Sequence, residues 1–89
     1  MSNEYNGKKL YTYMSASQAI YEVRGNKIYK CTNLFQPVYE IKGNEIYPYM
    51  DLVQAEFEIR GNKIHQYKDM YQPIYEIRYI LLISRTIWN

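Results

Sequence analysis

Residues 20–29 read IYEVRGNKIY, and the pattern returns as VYEIKGNEIY at 38–47 and as EFEIRGNKIH at 56–65. Glycine occurs only at positions 7, 25, 43 and 61, and Gln recurs at 18, 36, 54 and 72, so the period is 18 residues. The units span 18–35, 36–53, 54–71 and 72–89, and a partial unit fills 1–17. Because repeats cover the chain, we expect residues 1–89 to form a single domain of about five tandem units.

Each complete unit has a Gly-Asn pair between two runs rich in Tyr, Ile and Val. This pattern is typical of a two-residue β-hairpin in which glycine supplies the positive φ angle. With Gly25 and Asn26 as the loop, Arg24 faces Lys27 and Val23 faces Ile28. The sequence therefore predicts an all-β domain built from one hairpin per unit.

Side-chain alternation along these strands separates an apolar face from a polar one. The predicted inner positions are always apolar or aromatic: Tyr21, Val23 and Ile28, then Tyr39, Ile41 and Ile46, then Phe57, Ile59 and Ile64. The outer face carries the repeated Glu and Arg/Lys positions, together with the column Ile20, Val38, Glu56 and Ile74. A single hairpin is marginally stable in water, so we expect the units to bury their apolar faces together.

Composition limits the class of protein. The chain has 89 residues, 47% of them hydrophobic, a formal net charge of +2 and 12 tyrosines. This charge is short of the strong basicity typical of dedicated nucleic-acid binders. A lone cysteine, Cys31, and the absence of a secretory signal pattern favour a cytoplasmic location. The longest apolar run, residues 79–83, is too short to cross a membrane and is predicted to be a buried strand.

The motif IYEVRGNKIY, its copies at 38–47 and 56–65, and the incomplete copy IYEIR at 74–78 resemble the septoil-knot domain family. The resemblance covers nearly the whole chain. It implies a chain of β-hairpins wound into a seven-crossing torus knot, and it implies no assigned activity. Periodicity alone favours a β-solenoid or a small β-barrel.

The titratable residues offer little support for catalysis. One His and one Cys make neither a nucleophile pair nor a metal cage, and His65 and Cys31 both occupy positions where tyrosine recurs in other units. A Glu recurs in every unit, which favours a structural task such as pairing with the neighbouring Arg or Lys. We therefore expect a protein that is not an enzyme and that binds neither a cofactor nor a metal.

Two sets of residues are candidates for ligand binding. The first set is Arg24, Lys27, Arg60 and Lys63, which form like-charged pairs at two hairpin tips. Because like charges directly opposite one another destabilise a strand pair, either a neighbouring Glu or a bound anion should compensate them. The second set is Tyr29, Tyr47, Tyr49 and Tyr67, whose rings could stack on bases or sugars or simply cover apolar surface.

The leading hypothesis from the sequence is a compact, non-catalytic, kinetically stable domain with a structural or interaction role and unknown partners. The alternative is a module that binds single-stranded nucleic acid or another polyanion through the basic tips and exposed tyrosines. A closed array would leave few free strand edges, so we expect a monomer.

Overall fold

The computed structural model describes residues 4–69 and 72–78, and the apolar run at 79–83 lies outside them. Eight antiparallel strands form a closed barrel in which the described residues contain no helix. The strands are β1 (Lys9–Thr12), β2 (Tyr21–Arg24), β3 (Lys27–Lys30), β4 (Asn33–Lys42), β5 (Glu45–Pro48), β6 (Phe57–Arg60), β7 (Lys63–Gln66) and β8 (Tyr75–Arg78). The predicted all-β class is confirmed.

Three hairpins follow the predicted register. Val23 pairs with Ile28 and Arg24 with Lys27 around the turn at Gly25, and the β4–β5 and β6–β7 hairpins repeat this register 18 and 36 residues later. Gly25, Gly43 and Gly61 have φ angles of 63° to 65°. Glycine adopts this left-handed conformation without steric cost, which explains why it marks the period.

The partial units at the two ends differ from the prediction of one hairpin per unit. Within the described residues they contribute one strand each, β1 and β8, which pair with each other and close the barrel. Leu10 lies opposite Ile77 and Lys9 opposite Arg78, which is the register that Val23 and Ile28 have in the first hairpin. We call β1 and β8 the closing pair. It completes a ring of four equivalent strand pairs.

The core consists of three sets of four side chains, each set repeating around the barrel. The odd-numbered strands provide Leu10, Ile28, Ile46 and Ile64, and the even-numbered strands provide Val23, Ile41, Ile59 and Ile77, all of them buried. The third set is Tyr21, Tyr39, Phe57 and Tyr75. Alternate strands fill alternate layers of small barrels in this way, which leaves the interior packed with side chains.

The third set is a closed ring of aromatic side chains. Successive rings meet edge to face, with centroids 5.4 to 5.9 Å apart. The three tyrosines are half-buried where the sequence predicts core positions, because each phenol extends toward the end of the barrel. A cavity of about 10 Å³ lies between this ring and Leu10, Ile28, Ile46 and Ile64. It has room for one water molecule at most.

Antiparallel pairing gives the barrel two unlike ends. The tip end carries the turns at Gly25, Gly43 and Gly61. The loop end carries the described connections at 13–20, 31–32, 49–56, 67–69 and 72–74 and the first residues of β4. One connection departs from the repeat: β4 begins early, and residues 34–36 bulge out between the pairs Lys30–Asn33 and Tyr29–Pro37.

Candidate functional site

The predicted basic residues all lie at the tip end, on two hairpins. Arg24 and Lys27 belong to β2–β3, and Arg60 and Lys63 to β6–β7. These hairpins are four strands apart in the eight-strand ring, so the two cation pairs lie on opposite sides of the barrel. One small anion therefore does not contact both pairs.

A glutamate compensates each arginine of the set. The Arg24 Nε donates to Glu22 Oε2 at 3.1 Å, and the Arg60 Nη2 donates to Glu58 Oε1 at 3.3 Å. The same pairing occurs in the closing pair between Arg78 and Glu76 at 3.5 Å. The predicted structural role of the repeated Glu is confirmed in these three units.

These ion pairs affect the acidity of the carboxyls. Hydrogen bonds from Arg24 and then Lys9 lower the pKa of Glu22 below its ordinary value. The pKa of Glu58 is lowered by Arg60 and by the backbone N–H of Lys68. Both effects follow from hydrogen bonds that favour the charged form of a carboxyl.

The two lysines of the set contact their own turns. The Lys27 Nζ donates to Asn26 Oδ1 at 3.3 Å, and the Lys63 Nζ donates to Asn62 Oδ1 at 3.0 Å. Glu40 stands opposite Lys27 on β4, and Glu76 stands opposite Lys63 on β8. The like-charged tips are thus balanced by neighbouring carboxylates and turn amides, and a bound anion stays a prediction.

The candidate stacking residues do not form one aromatic platform. They are spread around the outside of the barrel, half-buried, with Tyr29 on β3, Tyr47 on β5, and Tyr49 and Tyr67 in connections at the loop end. The Arg24 guanidinium lies 5.9 Å from the Tyr29 ring centroid, and the Lys68 ammonium lies 5.5 Å from that of Tyr67. Ligand stacking on these rings stays a prediction.

Hydrogen bonding also engages one of these phenols. The Tyr47 hydroxyl donates to Glu45 Oε1 at 2.8 Å, and this bond raises the pKa of Tyr47. His65 lies opposite Glu58 on the outer face, at the position that Tyr29 and Tyr47 hold in their hairpins. Within residues 4–69 and 72–78, no group of three His, Cys, Asp or Glu side chains is placed to hold a metal ion.

Sequence reasoning missed the loop end. Among the described residues, every large apolar side chain that is exposed lies there: Met14, Ile20, Phe35, Met50, Leu52 and Val53. Phe35 is 96% exposed and Val53 is 91% exposed. The repeat could have pointed to this surface, because Phe35 and Val53 occupy the same position in successive units, and residues 14, 32, 50 and 68 occupy another. These positions hold both apolar and polar residues, however, so the sequence does not show which of them are exposed.

The exposed methionines are fixed by an uncommon backbone conformation. Met14 and Met50 have φ angles of 60° and 64°, and Lys68, at the equivalent position, has 61°. Non-glycine residues rarely adopt this left-handed conformation, which costs about 1–2 kcal/mol. The left-handed loop geometry therefore recurs at three of the four equivalent positions, Thr32 being the exception, although no glycine marks it.

A cluster of phenols faces the loop end from inside the ring of connections. The Tyr21 phenol interacts with those of Tyr75 and Tyr39, and these interactions contribute to the pKa shifts of Tyr21 and Tyr75. Burial, followed by the Tyr21 hydrogen bond, raises the pKa of Tyr75 to about 12. Glu56 directly precedes Phe57, whose ring contacts those of Tyr39 and Tyr75. Its negative charge contributes to the raised pKa of all three tyrosines.

Comparison with known proteins gives no relative: no family model matches the chain, and neither a curated protein nor a solved structure matches it. Within the part of the chain that is described, no helix is long and apolar enough to cross a membrane.

Proposed function

We propose that this protein is a non-catalytic interaction domain that presents its loop end to a partner protein. One observation carries the proposal: the exposed large apolar side chains of the described residues are all at that end. Monomeric proteins rarely expose contiguous apolar patches without a functional reason. The filled interior supports a binding role for the outer surface, since the cavity under the aromatic ring is only about 10 Å³.

Matched surface variants test this role. Phe35→Asn with Val53→Asn removes the two most exposed apolar side chains, and Lys27→Gln with Lys63→Gln alters the tip end as a control. Cell proteins retained by the immobilised wild type would be identified, purified and measured again by calorimetry. We expect the loop variant to lose at least tenfold in affinity and the tip variant to bind normally. Equal binding by all three proteins would contradict the proposal.

Polyanion binding is the second candidate, favoured by the charge of the tip end. The strands and turns of this end carry eight cations and six glutamates. The cations are Lys8, Lys9, Arg24, Lys27, Lys42, Arg60, Lys63 and Arg78. If phosphates are contacted, affinity for single-stranded RNA should fall steeply with salt. At a fixed salt concentration, Lys27→Gln and Lys63→Gln should each lower the affinity for RNA. An affinity for RNA that is unchanged by salt and by these substitutions would exclude polyanion binding.

We also propose that the chain path is knotted, on the strength of the repeated motif that resembles the septoil-knot family. The strands follow one another in chain order around the barrel, an order that needs no threading, so the proposal rests on the repeated motif alone. A knotted chain has to rethread, so unfolding and refolding after a denaturant jump should both be slow. Relaxation as fast as that of ordinary small domains would contradict this. A cytoplasmic location and a monomeric state stay predictions.

A further inference from the structure

The unit at 54–71 departs from its neighbours at the centre of the loop end. Ile20-Tyr21, Val38-Tyr39 and Ile74-Tyr75 each pair an apolar residue with a ring tyrosine, whereas this unit has Glu56-Phe57. The exchange removes one hydroxyl from the aromatic ring and adds one carboxylate beside the three that remain. It is a change of chemistry at one position of an otherwise repeated surface.

The carboxylate of Glu56 has no ion pair with any described residue. Glu22, Glu58 and Glu76 bind arginines, and Glu45 accepts from Tyr47. Glu56 is exposed instead, directly before Phe57, whose ring centroid lies 5.4 Å from that of Tyr39 and 5.7 Å from that of Tyr75. The loop end therefore has a charged centre whose complement is not supplied by the described residues.

The rest of the described loop end adds exposed apolar side chains and a negative charge balance. Met14, Phe35, Met50, Leu52 and Val53 are exposed there. Three carboxylates, of Asp51, Glu56 and Asp69, stand against two lysines, Lys30 and Lys68. The charge sign is opposite to that of the tip end.

We propose that the loop end recognises a protein segment in which an arginine or lysine is flanked by apolar side chains. The cation would contact the Glu56 carboxylate and the phenol oxygens of Tyr21, Tyr39 and Tyr75, while its apolar neighbours cover the exposed loop side chains. A guanidinium offers several donors to such a group of oxygens and also stacks on tyrosine rings. This inference rests on the proposed interaction role of the loop end.

Other occupants fit the charge distribution less well. A lipid surface would have to desolvate Glu56 without supplying a partner, and anionic lipids would repel it. Nucleic acid meets the same repulsion. A second copy of the chain would bring its tip end, where Arg24, Arg60 and Arg78 are already paired with glutamates.

Peptide titrations followed by NMR test the inference. The probe is acetyl-Phe-Arg-Leu-amide, and its control is the same peptide with citrulline, which keeps the shape of arginine without its charge. We expect shifts in the amides of residues 55–57 and in the ring signals of Tyr39 and Tyr75. The arginine peptide should bind about fivefold more tightly than the citrulline peptide, as one exposed ion pair permits.

Variants locate the recognition. Glu56→Gln should remove the preference for arginine, and it should lower the pKa of Tyr75 because the nearby negative charge is gone. The double variant Glu56→Ile with Phe57→Tyr restores the pattern of the other units and should also lose the preference. The control Glu45→Gln removes the same charge as Glu56→Gln, but at the tip end, and should keep the preference for the arginine peptide.

The outcomes separate this inference from the proposed function. Equal affinity for both peptides, an unchanged preference in Glu56→Gln, or no shift with the arginine peptide would each overturn the cation recognition. Concentration-dependent shifts without peptide would identify a second copy as the occupant and overturn it as well. The Phe35 and Val53 variants with the purified partner test the interaction role independently of either peptide.

Discussion

The β2–β3 hairpin and the closing pair β1–β8 have the same register, yet only the hairpin has a turn between its strands. Val23 opposite Ile28 corresponds to Ile77 opposite Leu10, and the residues on both sides match in type. A two-residue turn brings hairpin strands together at little entropic cost, whereas the strands of the closing pair are more than 60 residues apart. Side-chain contacts must therefore hold the closing pair without help from a turn.

Arg78 makes two close contacts around the closing pair, although its ion pair with Glu76, at 3.5 Å, is longer than the Arg24–Glu22 pair of the hairpin, at 3.1 Å. The Arg78 Nη2 donates to the Ser15 carbonyl at 2.7 Å, and its guanidinium lies 4.4 Å from the Tyr11 ring centroid. The equivalent Arg24 lies 5.9 Å from Tyr29. Arg78 thus joins β8 to β1 and to the connection that follows β1. Arg60 makes the equivalent bond in the β6–β7 hairpin, where its Nη2 donates to the Asp69 carbonyl at 3.0 Å, whereas Arg24 has no such bond among the described residues.

The N-terminal residues show what takes the place of the missing turn. Residues 4–7, EYNG, correspond by period to EVRG at 22–25, but β8 occupies the edge of β1 that they would otherwise pair with. They form a turn whose Tyr5 packs against the core and whose Asn6 Oδ1 accepts from the Gly25 N–H at 2.7 Å. The Lys8 carbonyl then accepts from Val23, as the Asn26 carbonyl accepts from Ile41.

The largest expected effect comes from truncating the core equally in both regions. Ile77 is 5% exposed in the closing pair, and Ile59 is 4% exposed in a hairpin. Because both positions are buried in the same way, Ile77→Ala and Ile59→Ala should each lower the free energy of unfolding by about 2–5 kcal/mol. Urea unfolding measures both. A cost for Ile77→Ala far below that for Ile59→Ala would mean that the closing pair frays in the native state.

Smaller truncations guard against variants that fail to fold. Ile77→Val and Ile59→Val should cost about 0.5–1.5 kcal/mol each, and the comparison between the two sites is the same. Equal costs support a barrel that is closed as firmly at β1–β8 as within its hairpins.

Truncating the arginines should have unequal effects in the closing pair and in the β2–β3 hairpin. Arg78→Ala should cost about 1–2 kcal/mol, since it removes a charged hydrogen bond to a backbone carbonyl and a close ring contact. Arg24→Ala removes an ion pair of a more exposed side chain and should cost under about 1 kcal/mol. Thermal unfolding of both variants gives the difference. Equal costs would show that the Ser15 bond and the Tyr11 contact of Arg78 add nothing to stability.

Much of the fold follows from the repeat, and the closing pair shows where this reasoning ends. The positions of Gly25, Val23 and Ile28 fix a hairpin register, and the period transfers it to the next units. The period does not state which strands meet when the array ends, because β1 and β8 belong to different incomplete units. Their pairing follows from closing the barrel, which is a property of the whole chain.

The candidate site divides in the same way. The tip cations and their compensating Glu22 and Glu58 could be predicted, since residues two apart on a strand share a face. The exposure of Phe35 and Val53 could not, because apolar side chains at this repeated position could equally have been buried under the connections. The sequence marks Glu56 as an exception in an apolar column, but its position beside three phenols depends on how the even-numbered strands meet around the barrel.

Backbone strain offers a comparison of smaller size. The Gly25 φ angle is 65°, and a Cβ added there would meet nothing within 4 Å. Gly25→Ala should therefore cost only the left-handed conformation, about 1–2 kcal/mol. Met50 has a similar φ of 64°, so Met50→Gly should relieve strain and change stability by less than about 1 kcal/mol in the favourable direction. We expect the urea midpoint to fall in Gly25→Ala and to rise slightly in Met50→Gly. A lower midpoint in both variants would contradict this.

Alkaline pH should produce the smallest effect, with none at neutral pH. Tyr75 lies on β8 of the closing pair, and its pKa is raised to about 12 by burial first and by the Tyr21 hydrogen bond second. A phenol whose pKa rises on folding stabilises the native state fully below its unfolded value near 10, and this contribution is lost as pH rises through 12. Because the side chain is half-buried, solvent screening keeps the effect modest. Stability should thus be level up to about pH 10 and then decline, and Tyr75→Phe should decline less steeply in the same window. We would follow the ultraviolet absorbance of ionised tyrosine and the urea midpoint together from pH 8 to 12. Equal slopes of stability against pH for the wild type and Tyr75→Phe would show that the Tyr75 hydroxyl does not help to hold the closing pair.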